Sequence, residues 1–176
     1  EAAAIAERLE RLNRERRDVE TAVLEAACEQ IEARGTEAPL VWAAGEGWHP
    51  GVVGIVASRL KERYNRPAVV IGLDGEAGRG SGRSVEGIDL GTAVGALAAE
   101  GLLLKGGGHS MAAGLSVAAE GVETAMAALA ARLGALGIDR LGPEALAIDG
   151  ALAPAGVTVE LCEQLERAGP YGQANP

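Results

Sequence analysis

The sequence has 176 residues, 16 Lys+Arg against 25 Asp+Glu, and a formal net charge of −9. That length suits one ordinary domain with its own core and an appended arm. An apolar share of 48% excludes a disordered acidic tail, and no charge-free apolar run is long enough to span a membrane. Aromatic residues make up 2% and Phe is absent, so the core must be built from Ala, Val, Leu and Ile. All basic residues are arginine except Lys61 and Lys105, a bias that the nucleotide composition of a genome explains as well as chemistry does. The N-terminal stretch lacks a basic segment followed by an apolar one, so the chain reads as cytoplasmic rather than secreted. Cys28 and Cys162 are expected as buried free thiols of a reducing compartment, and no Cys/His spacing suits zinc.

Residues 1–34 read as one long helix, with Ile5, Leu9, Leu12, Val19, Val23, Ala27 and Ile31 at steps of three, four or seven. Gly35 is its stop. So long an apolar stripe predicts that the helix packs partly on residues 40–170, while its start frays for want of a neighbour. LVWAA (40–44) has strand length, and the loop GEGWHPG leads into a helix over 52–64. A β-branched strand follows at 67–72, then a turn at 73–76. GRGSGRSV (78–85) reads as a strand or as a solvated loop. A helix over 89–99 has Asp89 as its N-cap. A strand at 112–118, a helix at 122–136, a strand at 145–152 and a helix at 157–168 precede an irregular PYGQANP. This alternation predicts an α/β fold: a mixed, mostly parallel sheet flanked by helices, preceded by a long connecting helix. The expected organisation is a connecting helix over 1–35, a binding domain over 36–168 and the start of a linker over 169–176.

Charge is unevenly placed. Residues 50–110 hold seven basic and six acidic side chains, whereas the rest of the chain is strongly acidic. Three glycine-rich segments fall in or beside this balanced island. GEGWHPG (45–51) puts Trp48 and His49 before a helix whose free N–H groups attract an anion; a plain strand-to-helix turn explains it equally simply. In GRGSGRS (78–84), strand alternation would send Arg79, Ser81 and Arg83 to one face and the glycines to the other. Two guanidiniums and a hydroxyl on one face suit phosphate. KGGGHSMAAG (105–114) lets backbone N–H groups approach a ligand and places His109 at the start of the next element.

The five aspartates and two histidines are scattered, so nothing resembles a two-metal phosphoesterase centre. A Ser81–His109–Asp89 triad can be drawn, but no nucleophile-elbow pattern supports it. The chain therefore reads as a binding half without its chemical half, predicted to be inactive on its own.

At GRGSGRS, GGGHSMAAG and GPYGQANP the chain resembles the RecJ-type single-strand-specific DNA exonucleases of the DHH phosphoesterase superfamily, specifically their second, DHH-associated domain. WHPGVVGIVASRLKERYNRPAVVI resembles that family's strand–loop–helix–strand unit. Phe is commoner where Tyr171 stands. The resemblance implies an enzyme degrading single-stranded DNA from the 5′ end in recombination and repair. Its Mn²⁺ or Mg²⁺ would be held by a preceding DHH domain, a nucleic-acid-binding OB-fold would follow, and this part would bind no cofactor. It implies phosphate contacts from Arg83, Ser84 and His109 and weaker roles for Arg79, Ser81, His49 and Gly107; if the three glycine-rich segments converge, Gly107 and Gly108 add backbone donors. Two other readings stay open: a small-oligonucleotide or cyclic-dinucleotide phosphodiesterase of the same superfamily, or a non-enzymatic interaction module with purely structural glycines.

Overall fold

A computed structural model describes residues 2–137, 148 and 150–172. Helix α1 runs over Ala2–Arg34, followed by strand β1 (Val41–Glu46), helix α2 (Pro50–Tyr64), strands β2 (Ala68–Asp74) and β3 (Ala77–Arg83) and helix α3 (Leu90–Ala99). Strands β4 (Lys105–His109) and β5 (Ala112–Ala118) then lead through a 3₁₀ turn to helix α4 (Val122–Ala135). By internal contacts the chain divides into Glu1–Pro143 and Glu144–Pro176. In the second unit α5 (Val159–Ala168) is capped by the Thr158 hydroxyl, which accepts from the Leu161 N–H. Of the strand predicted over 145–152, residues 145–147 and 149 lie outside the described residues, and Ile148 and residues 150–152 form no strand. Residues 173–176 of the closing motif also lie outside them.

The sheet is five-stranded in the order β1-β2-β3-β5-β4. It is mixed, as predicted, but the balance is reversed: only β1–β2 is parallel, while β2–β3, β3–β5 and β4–β5 are antiparallel. The connections dictate this. Gly75 and Glu76 alone join β2 to β3, and Ser110 and Met111 alone join β4 to β5, and a two-residue link can only reverse the chain. The fifteen-residue helix α2 supplies the one parallel crossover.

Helices cover both faces. Ala68 and Val70 of β2 and Val41 and Ala43 of β1 meet Val53, Val56 and Leu60 of α2 and Val23, Ala27 and Ile31 of α1. On the other side Val69, Ile71, Leu115 and Val117 pack under Leu90, Val94 and Leu97 of α3 and Met126, Leu129 and Leu133 of α4. Only the second half of α1 is buried; Ile5, Leu9, Leu12 and Val19 are exposed. The docked half is fixed by Glu20, which is 2% exposed and lies 2.5 Å from both Arg16 Nη1 and Arg59 Nη2, tying α1 to α2. Cys28 is buried as expected, whereas Cys162 is exposed, because α5 buries none of its residues. Among the described residues no helix is long and apolar enough to cross a membrane.

Candidate nucleic-acid interface

The strand reading of GRGSGRS holds, and its alternation decides what each residue can do. Added Cβ atoms at Gly78, Gly80 and Gly82 would lie 2.7–2.9 Å from Ile71, Leu115 and Leu90 side chains, so these glycines face the α3/α4 core. Arg79, Ser81 and Arg83 therefore face the α2 side. There α2 crosses β3 at Gly54, where an added Cβ would come 3.2 Å from Ser81 Oγ and 3.3 Å from Arg83 Nη2. Arg83 Nη1 donates to Ser81 Oγ at 3.2 Å and to the Gly82 carbonyl at 2.9 Å. Those two bonds engage one corner of a group with five N–H donors, leaving a pre-oriented edge for an incoming oxyanion.

The register extends this row across the sheet. Arg83 is opposite Ala112, which is opposite His109; Ser81 is opposite Gly114, which is opposite Gly107. His109 thus shares a face with Arg83, two strands or about 10 Å away, at the end of β4 rather than at the start of a following element. It is exposed, and among the described residues its side chain has no hydrogen-bond or ion-pair partner. Cβ atoms at Gly107 and Gly114 would meet nothing within 4 Å. Beside this row lies a second one of Ser81, Gly114 and Gly107; α2 reaches Ser81, while Gly114 and Gly107 have open space above them.

The triple glycine divides into two kinds. A Cβ at Gly106 would come 2.8 Å from Val94, and one at Gly108 would come 2.2 Å from the Ala112 carbonyl. Gly91, at the start of α3, fits because a Cβ there would lie 2.7 Å from Gly108 and His109 backbone atoms. Gly106 and Gly108 therefore serve the packing of β4 under α3 and against β5, and of the three only Gly107 has open space where a side chain would stand. As β4 is an edge strand, one row of its backbone groups is not used by the sheet.

Two expected site residues sit elsewhere. Ser84 is 1% exposed, and its hydroxyl donates to the Ile88 carbonyl at 2.7 Å, so it is a buried loop anchor rather than a phosphate ligand. His49 is the N-cap of α2: its Nδ1 accepts from the Gly51 N–H at 3.0 Å, which leaves Nε2 as the outward atom. Trp48 folds back over Gly45 and Gly72, whose added Cβ atoms would come 2.2 Å and 2.0 Å from it. Trp48, His49 and Pro50 line a cavity of about 470 Å³ together with Arg79, Glu46 and Asp74. His49 thus joins Arg79, at the far end of β3 from Arg83. Asp89 caps α3 as predicted; hydrogen bonds from Thr92, first from its backbone N–H and then from its hydroxyl, hold the carboxyl below its usual range. Gly54 and Gly114 are site features that the motif reading did not single out, since each acquires its place by pairing or packing with a distant segment; Lys105, which the motif did mark, takes its place in a row through β5.

Among the described residues, no three His, Cys, Asp or Glu side chains cluster so as to hold a metal ion. The described residues therefore do not fit a divalent-metal centre.

The fold is a five-stranded mixed α/β sheet, one face of which carries exposed basic side chains on β3 and β4. The DHHA1 domain model matches residues 37–135, and the chain belongs to the DHHA1 family, in its RecJ-type form. It is 38% identical over its whole length to the single-stranded-DNA-specific exonuclease RecJ of Escherichia coli, and 35% identical to that of Bacillus subtilis. It spans 32% and 22% of those two proteins. The crystal structure of RecJ in complex with Mn²⁺ from Thermus thermophilus superposes with a TM-score of 0.79 at 30% identity, covering 98% of this chain and 25% of that one.

Proposed function

We propose that this chain is the substrate-holding domain of a metal-dependent, single-strand-specific DNA exonuclease that acts from the 5′ end in recombination and repair in the cytoplasm. The observation that carries this reading is the open half-face, where the row of Arg83 and His109 runs beside a floor of Ser81, Gly114 and Gly107. Such a surface suits a sugar–phosphate chain: guanidinium and imidazole grip phosphate oxygens, and the missing Cβ atoms allow close approach. Phosphates rather than base edges are held, so sequence matters little. In this reading Mn²⁺ or Mg²⁺ is carried by an upstream DHH domain facing the half-face, and an OB-fold downstream holds the strand further on. The chain by itself hydrolyses nothing. Incubation with labelled single-stranded DNA and Mn²⁺ should leave the substrate intact; chelator-sensitive degradation by the pure chain would overturn that expectation.

Each charge-assisted hydrogen bond contributes about 1.5–3 kcal/mol when well made. In the full-length nuclease, Arg83→Ala and His109→Ala should therefore each lower kcat/KM on single strands by about ten- to a hundredfold, at ~1.4 kcal/mol per decade. Arg132→Ala is the control, because Arg132 pairs with Glu100 and lies on α4, across the sheet. Degradation by both variants at the control's rate would return the glycines to a purely structural role.

A further inference from the structure

The open half-face carries a second set of basic side chains. Arg79 is opposite Ser116, and Ser116 is opposite Lys105, so these three form a cross-strand row of their own on the face of Arg83 and His109. The two rows are four residues apart along β3, about 13 Å at 3.3 Å per residue. Between them lie Ser81, Gly114 and Gly107. Arg79 and Lys105 are both exposed, and among the described residues neither has a hydrogen-bond or ion-pair partner. Glu46 and Asp74 border the cavity that Arg79 lines, yet neither forms an ion pair with it. Among the described residues the helix arginines Arg16, Arg59, Arg63 and Arg132 pair with acids, while Arg8, Arg14 and Arg17 of the exposed half of α1 do not. On the sheet, Arg79 and Lys105 lie unpaired in one cross-strand row.

We propose that Arg79 and Lys105 form a second phosphate-holding row, so that this face tracks an extended single strand over more than one phosphate. The proposal rests on the phosphate-holding reading of Arg83 and His109. A gap of about 13 Å exceeds the screening length of about 8–10 Å at physiological salt, so the rows act as separate electrostatic contacts. No single phosphate group can touch both. A dinucleotide engages one row, and only a strand of several nucleotides engages two. The glycine floor lets the intervening sugar–phosphate chain lie flat between them. The row thus adds a contact that a strand of several nucleotides makes and a dinucleotide held at Arg83 does not.

The test is equilibrium binding of labelled oligothymidylates to the full-length protein, with chelator present so that nothing is cleaved. A dinucleotide and a strand of about a dozen residues are each titrated over a series of salt concentrations. For the long strand, R79A/K105A should flatten the slope of log K against log salt by about 1.4, or ~0.7 per lost contact. It should also weaken that strand by about tenfold at low salt, with the dinucleotide changed less than about twofold. Thermal melting checks that the double variant remains folded, which the exposure of both side chains leads one to expect. Wild-type affinity and slope for the long strand in R79A/K105A would overturn the second row. If Arg83→Ala weakens both ligands in that same experiment, the first row stands alone. If neither variant changes the binding of either ligand, both readings fall. An equal flattening by Arg132→Ala would show net charge alone at work and would likewise overturn the proposal.

Discussion

The two faces of β3, β5 and β4 are made by the same three strands, yet they follow opposite rules. On the α3/α4 side every position is filled: Leu115 and Val117 are buried, and glycines at 78, 80, 82, 106 and 108 are there because nothing larger fits. On the other side Gly107 and Gly114 have empty space above them, and the larger side chains are Arg79, Ser81, Arg83, Ser116, Lys105 and His109. Helix α2 reaches only as far as Ser81 and Arg83, where Gly54 gives them room. Glycine therefore has two meanings within one motif. Facing the core it marks close packing, and facing out it marks a surface cleared for something else.

The sharpest way to break this comparison is to add a side chain to each kind of glycine. Gly108→Val would drive a Cβ into the Ala112 carbonyl and to within 2.6 Å of the Ala113 Cα, both backbone atoms that cannot give way. A loss of about 4 kcal/mol of unfolding free energy is expected in denaturant titration. Gly107→Ala should change stability by less than about 0.5 kcal/mol, since its backbone is not left-handed and nothing lies within 4 Å. Equal losses at the two positions would remove the distinction.

Ser84→Ala tests a residue that the motif assigns to the ligand and the structure assigns to the core. It orphans the Ile88 carbonyl and should cost about 1–2 kcal/mol of stability, while leaving oligonucleotide affinity unchanged once the variant is folded. A binding defect without a stability defect would restore Ser84 to the phosphate site.

Gly54→Ala sharpens the role of α2. Alanine is about 1 kcal/mol better than glycine inside a helix, so the melting temperature should hold or rise. The new methyl, however, crowds Ser81 Oγ and Arg83 Nη2 at 3.2–3.3 Å and should weaken single-strand binding by about two- to fivefold, on the order of 0.5–1 kcal/mol. Unchanged affinity would mean that the position of the guanidinium is not critical.

The smallest effect concerns the Asp89 cap on the covered side. Its carboxyl is held below the usual range by the Thr92 hydrogen bonds, so the charged form is favoured in the folded state. The stability it confers is present above the ordinary carboxylate pKa and is lost as pH falls through the depressed one. Asp89→Asn keeps a capping oxygen but removes the charge, and should shallow the acid limb of a stability-against-pH curve. An unaltered limb would show that other carboxylates set it.

The sequence by itself marked most of the elements, though not β4, and, on the strand reading of GRGSGRS, which β3 side chains share a face. Periodicities of 3.6 and 2 are local, so α1, β5, the Asp89 cap and the one-sided placing of Arg79, Ser81 and Arg83 were legible. The motifs also carried the family, because GRGSGRS, GGGH and WHPG are short and contiguous. The tertiary structure alone decided which strands run antiparallel, where β4 pairs, and that β5 sets His109 beside Arg83 and Lys105 beside Arg79. It alone separated Gly107 from Gly106 and Gly108, and put Ser84 inside. Each of these depends on what a distant segment places within a few ångströms, and no local pattern of residues encodes that distance.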